Sequence, residues 1–277
     1  MTQDRLATRF AAAAVVLAVV AALVGLLAAV YRDVPAMVDQ AHAADLATLF
    51  LAVPAAVAGL WVAGRKTGPA AGRARLVVAG SLGYLVYTYA IYAFQVVVSP
   101  VTPLHIAILG LATWSLLLQL PALVAGTEGV GDRLPRRVTA GFLAVVAALF
   151  AALWLGQIAS AIVTGELPAA VADLALPTSA VYTLDLAFAL PLLALAAGLL
   201  IRRPARGFPL ALAGLVFSVQ MAASVVAIFA IQATRGELAD VSVPIVFAAI
   251  AISAAALAAR GLVPAGPSRT LAAQGAA

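Results

Sequence analysis

Asp185 is the residue with the most chemistry to offer. It closes Tyr182-x-x-Asp185 and is followed by apolar residues as far as Ile201. Lipid solvates charge poorly, so a carboxyl in such a stretch needs a partner from another segment or a water-filled cavity. A carboxyl held there can take up and release a proton, which suits proton exchange. Two helix starts fit the local sequence. A start near Ser179 puts Asp185 about 9 Å below the helix end at 1.5 Å per residue. A start at Thr183 makes Asp185 a first-turn group facing the helix dipole. Asp45, in Asp45-Leu46-Ala47, reads as an N-cap. Other polar side chains fall toward the same side. Tyr92 and Gln95 close one apolar stretch and His105 opens the next. Gln157 lies about two turns inside another stretch, counted at 3.6 residues per turn, and Tyr182 stands beside Asp185. Together they predict an outward-facing polar pocket. The competing reading is that tyrosine, tryptophan and glutamine cap helices at the membrane interface.

Other chemistries find little support. The chain has no cysteine, which removes disulfides, thiolate nucleophiles, iron–sulfur ligation and cysteine-based zinc sites. Its two histidines, His42 and His105, fall on the same side. Axial ligation of a haem by this pair is geometrically conceivable, but no further signature accompanies it. No metal and no cofactor is inferred. HExxH, Walker A, nucleophile-elbow and dinucleotide fingerprints do not occur. The single lysine, Lys66, falls in a loop, which excludes a retinal Schiff base inside a helix. Tyr84, Tyr87, Tyr89 and Tyr92 make one stretch unusually aromatic, which reads as packing between helices. Arg202, Arg203 and Arg206 form a compact basic loop. They are candidates for contact with anionic lipid head groups and also determinants of topology.

The elements that must position these residues are membrane helices. Of the 277 residues, 65% are hydrophobic and only 10% are charged, and mean hydropathy is +1.12. A water-soluble fold of this size cannot hide that much apolar surface. The net charge of +5 is assigned to loops rather than to nucleic-acid binding. Eight stretches are long enough to span a bilayer as helix: 10–30, 46–64, 76–98, 104–125, 138–163, 179–201, 208–232 and 241–259. Period-two alternation is absent, which argues against a barrel. The first stretch is longer than a signal peptide's apolar region and reads as an uncleaved helix. Of the 16 basic residues, all but Arg32 and Arg235 fall in the termini and alternate loops. That asymmetry predicts cytoplasmic termini. Residues 1–277 read as a single integral membrane domain.

The two halves of the chain, 1–130 and 131–277, look like copies. Asp45-Leu46-Ala47, Pro54, Ala55-x-x-x-Gly59 and Arg65 recur as Asp185-Leu186-Ala187, Pro191, Ala194-x-x-x-Gly198 and Arg202. Four helices per half would give both copies the same orientation about an axis along the membrane normal. The small-residue steps read as helix-packing sites, and the two prolines as kinks.

These features resemble those of a bacterial family of multi-pass membrane proteins with no established activity. The resemblance rests on the Asp–Pro second helix, the tyrosine-rich third helix and Tyr182-x-x-Asp185 followed by Pro191 and Arg202-Arg203-Pro204. It implies residence in the bacterial inner membrane and no particular substrate. The sequence favours a small-solute or ion transporter, with membrane lipids and a small solute or lipid-like ligand as partners. The alternatives are a membrane-embedded enzyme acting on a lipid or isoprenoid, and a structural or assembly subunit.

Overall fold

A computed structural model of the chain describes residues 3–124, 133–237 and 240–263. These residues form helices and no strands. Eight helices are long and apolar enough to cross a membrane: α1 (Gln3–Leu27), α2 (Pro35–Arg65), α3 (Gly68–Gln95), α4 (Thr102–Leu123), α5 (Arg136–Thr164), α6 (Ala180–Arg202), α7 (Pro204–Thr234) and α8 (Ser242–Leu262). The expected end of the fourth span at 125, and Arg269, lie outside the described residues.

Large apolar side chains such as Phe50, Trp61, Phe94, Trp114 and Ile162 face outward. That is the reverse of a water-soluble bundle and suits helices solvated by lipid. In lipid, helices associate through close van der Waals packing and interhelical hydrogen bonds. On α1, Ala11, Ala14, Ala18 and Ala21 are buried, and this face packs along α4. There the Ser115 hydroxyl donates to the Ala7 carbonyl (2.8 Å).

The two halves meet at α3 and α7. A side chain at Gly80 would collide with the Ala213 carbonyl and Val216, so glycine permits this crossing. One residue on, Gln220 Nε2 donates to the Ser81 hydroxyl (2.9 Å). Asp39 at the start of α2 pairs with Arg235 beyond α7, tying the halves at one end. The opposite end is basic. Arg65 and Arg202 close α2 and α6, while Arg73, Arg75, Arg136, Arg137 and Arg206 lie in the first turns of α3, α5 and α7 or just beyond. The second half is the more open one. Its helices α5 and α8 approach through the Phe150 and Phe247 rings, 5.4 Å apart.

α2 begins at Pro35, well before the expected 46. Pro35 fits a first helical position, where its missing N–H costs nothing. Asp39, Gln40 and His42 interrupt the apolar run and hide the helix from a hydropathy reading. Asp45 therefore sits inside α2 and is no N-cap. α6 begins at Ala180, with the Ser179 hydroxyl accepting from the Val181 N–H (3.2 Å). Of the two starts that fitted the sequence, this is the one that carries Asp185 into the helix.

Both α2 and α6 are interrupted by a π-helical turn, Thr48–Ala52 in one and Asp185–Ala189 in the other. Each turn is followed by one residue and then proline, Pro54 or Pro191. Proline lacks the N–H for the ladder and its ring crowds the preceding turn. Widening the ladder by one residue relieves that crowding. Counted from the turns, Pro54 matches Pro191 and Arg65 matches Arg202. Asp185, however, matches Thr48, so the two carboxyls are three residues out of step.

Candidate functional site

The candidate residues fall into two clusters. The first is enclosed by α1, α2, α3 and α4. Asp45 is fully buried. Its Oδ2 accepts from the Tyr31 hydroxyl (2.7 Å) and its Oδ1 contacts the Tyr92 hydroxyl (2.8 Å). Tyr92 also donates to the Ala41 carbonyl (2.6 Å). A tyrosine has one hydrogen, so when Ala41 takes it the contact with Asp45 needs a proton on the carboxyl. Gly25 of α1 faces this group, and a side chain there would collide with Asp45 and Tyr31. Glycine makes the room in which the pair forms. Tyr31 lies in the loop between α1 and α2. Burial pushes its hydroxyl well above the usual phenol range, and the charge of Asp45 adds to the shift.

His105 opens α4 beside this group. Its ring stacks on Tyr92 with centroids 4.6 Å apart and tilts against Tyr89 at 5.6 Å. It is 1% exposed, and among the described residues neither ring nitrogen has a hydrogen-bond partner. His42 packs edge-on against Tyr31 (5.7 Å). Among the described residues no group of three metal-ligating side chains occurs.

The second cluster lies on α5 and α6 and is half-buried. Trp154 Nε1 donates to Asp185 Oδ2 (2.7 Å). One turn away the Tyr182 hydroxyl donates to Gln157 Oε1 (2.7 Å). The Trp154 and Tyr182 rings are 5.4 Å apart. Tyr87 of α3 also reaches Asp185, so this carboxyl joins the two halves. Its distance from the basic end follows from Arg202, seventeen residues on, at about 26 Å. That lies within a hydrocarbon core about 30 Å thick.

Gln95, at the end of α3, donates to the Thr178 carbonyl (3.5 Å) just before α6. It bridges toward the second cluster rather than joining Asp45. Asp45, Tyr92 and His105 are thus brought together, as are Asp185, Tyr182 and Gln157, on separate helix sets. Arg202, Arg203 and Arg206 are all exposed at the α6–α7 junction.

Sequence reasoning does not place Tyr31, Trp154 or Tyr87 beside the acids. A signal for Trp154 exists. Trp154 and Gln157 are three residues apart, as are Tyr182 and Asp185, so each pair shares a helix face. Two such polar pairs on adjacent antiparallel helices can meet rung by rung. Tyr31 carries no such signal, because its place depends on how the α1–α2 loop folds back.

Comparison with known proteins adds nothing to this geometry: no family model, curated protein or solved structure matches the chain.

Proposed function

We propose that this integral membrane protein is a small-solute or ion permease in which Asp185 exchanges a proton with the solute pathway. The observation that carries the reading is the matched interruption of α2 and α6. Both helices break at a π-helical turn placed identically before a proline and a terminal arginine. π turns recur at functional sites. Paired interrupted helices in corresponding halves are the best pointer to a transporter's binding site. One break begins at Asp185, and the other lies one turn beyond Asp45. The same interval relates the halves as parallel repeats, with cytoplasmic termini under the positive-inside rule.

The test is proton flux in proteoliposomes carrying a pH dye, driven in turn by sodium, potassium and a panel of amino acids and amines. Wild-type protein should give solute-dependent flux. Asp185→Asn should lower it at least about tenfold, by analogy with the loss of a general acid–base group, at near wild-type melting temperature. Asp240→Asn, at an exposed site, should not change it. Full flux in Asp185→Asn, or no flux with any solute, would remove the proposal.

One observation favours a second reading, a membrane-embedded enzyme acting on a lipid. A groove between α5 and α6 opens sideways to lipid and ends at Leu186, next to Asp185. Chemical conversion of an added lipid, lost in Asp185→Asn, would select it.

A further inference from the structure

The groove between α5 and α6 holds about 710 Å³. Among the described residues Arg137 is its one polar lining residue, and it stands at the basic end. The rest of the wall is apolar, and much of it is small: Gly141, Ala144 and Ala148 from α5, Ala194 and Gly198 from α6. Small residues in membrane helices commonly bring backbones together. Gly59 does so here, since a side chain on it would strike Val78 and the Ala74 carbonyl. Gly141 and Gly198 do not: a side chain on either would meet no atom within 4 Å. The Ala194-x-x-x-Gly198 step, expected as a packing site, therefore lines open space.

We propose that this groove holds one acyl chain of an anionic phospholipid from the leaflet at the basic end, with its phosphate on Arg137. Two features select that occupant. A single cationic group at one end of an apolar channel matches an amphiphile with one anionic end, and guanidinium is well suited to phosphate. From Arg137 to Ala151 the groove runs fourteen residues of helix, about 21 Å. One leaflet's hydrocarbon is about 15 Å deep, so the groove is long enough to take an acyl chain from that leaflet over its whole depth. The site is distinct from the Arg202–Arg206 loop and does not depend on transport.

The experiment is native mass spectrometry of delipidated full-length protein titrated with phosphatidylglycerol or phosphatidylcholine. Wild-type protein should retain one phosphatidylglycerol in preference to phosphatidylcholine. Arg137→Gln should weaken phosphatidylglycerol binding about fivefold, as expected for one basic residue at a membrane surface, and weaken phosphatidylcholine, whose phosphate is balanced by its own choline, by less. Gly141→Leu with Gly198→Leu should fill the groove and remove both lipids. A phosphatidylglycerol bearing a diazirine on its acyl chain should label wild-type α5 between Gly141 and Ala151, which needs no variant to fold. Equal retention of the two lipids by wild-type protein, undiminished binding in the filled variant, or labelling elsewhere would each overturn the proposal. So would conversion of a wild-type dimer to monomer by the filled variant, which would make the groove an interface between copies.

Discussion

A carboxyl buried as completely as Asp45 survives in the fold only while its hydrogen-bond donors do. Tyr31→Phe removes one of them and should cost about 1–3 kcal/mol, the penalty for an unsatisfied buried polar group. Melting in detergent would show it. Tyr31 also makes the bundle sensitive to alkali. Its folded hydroxyl holds its proton above the ordinary phenol value, whereas the unfolded chain releases it near pH 10. The unfolded state then binds fewer protons, so stability present below about pH 10 falls as pH rises above it. Melting temperature measured from pH 8 to 11 should fall more steeply in wild-type protein than in Tyr31→Phe. Gly25→Ala attacks the same group by crowding and should cost about 1–3 kcal/mol. Gly156→Ala, at a glycine whose side chain would meet nothing, should be neutral or stabilise by up to about 1 kcal/mol.

At the scale of the helix, the extra residue in each π turn sets the rotation of everything before it. Tyr182 and Asp185 reach Gln157 and Trp154 of α5 from the segment just before and at the start of the widened turn Asp185–Ala189. Deleting Ala189 should restore an α-helical ladder and swing the preceding segment by about 100°, one residue's share of a 3.6-residue turn. Asp185 would leave Trp154 and Tyr182 would leave Gln157. With Trp61 and Trp114 replaced by phenylalanine, emission reports Trp154 alone. Deletion of Ala189 should shift that emission, and the point substitution Ala189→Leu, which keeps the residue count, should not. An unchanged spectrum in the deletion would mean that the π turn does not aim these side chains.

For the whole molecule, the crossing of α3 and α7 at Gly80 and the Asp39–Arg235 pair hold the halves together. Asp39 is buried, while Arg235 keeps part of its surface in solvent. Arg235→Gln strands a buried carboxylate and should cost about 1–3 kcal/mol, less than a wholly buried pair because of that exposure. Adding Asp39→Asn should recover most of the loss, and equal stability of the single and double variants would deny the coupling. The charge asymmetry makes a separate prediction about orientation. Reporters fused at the N-terminus, at Gly68 and after Ala277 should report the cytoplasm, and one at Val171 the opposite side.

Composition alone determined that the chain lives in lipid, and apolar run length determined the number of helices, because the bilayer sets one physical length for all of them. Asp185 and Tyr182 were legible as a polar pair at one end of an apolar run because lipid makes any such residue conspicuous, but two helix starts fitted the sequence and only the structure carries Asp185 into the helix. The full length of α2 was not legible, since hydropathy cannot distinguish a polar residue ending a helix from one facing protein inside it. The tertiary structure decided that Asp39 and Asp45 are of the second kind. It also separated the acids into two clusters, because partners such as Tyr31 with Asp45 and Tyr87 with Asp185 are far apart in sequence and meet only when helices pack. The two small-residue steps look alike as text. Gly59 touches a neighbouring helix and Gly198 faces an open groove, a difference set by where neighbouring helices run rather than by the residues themselves.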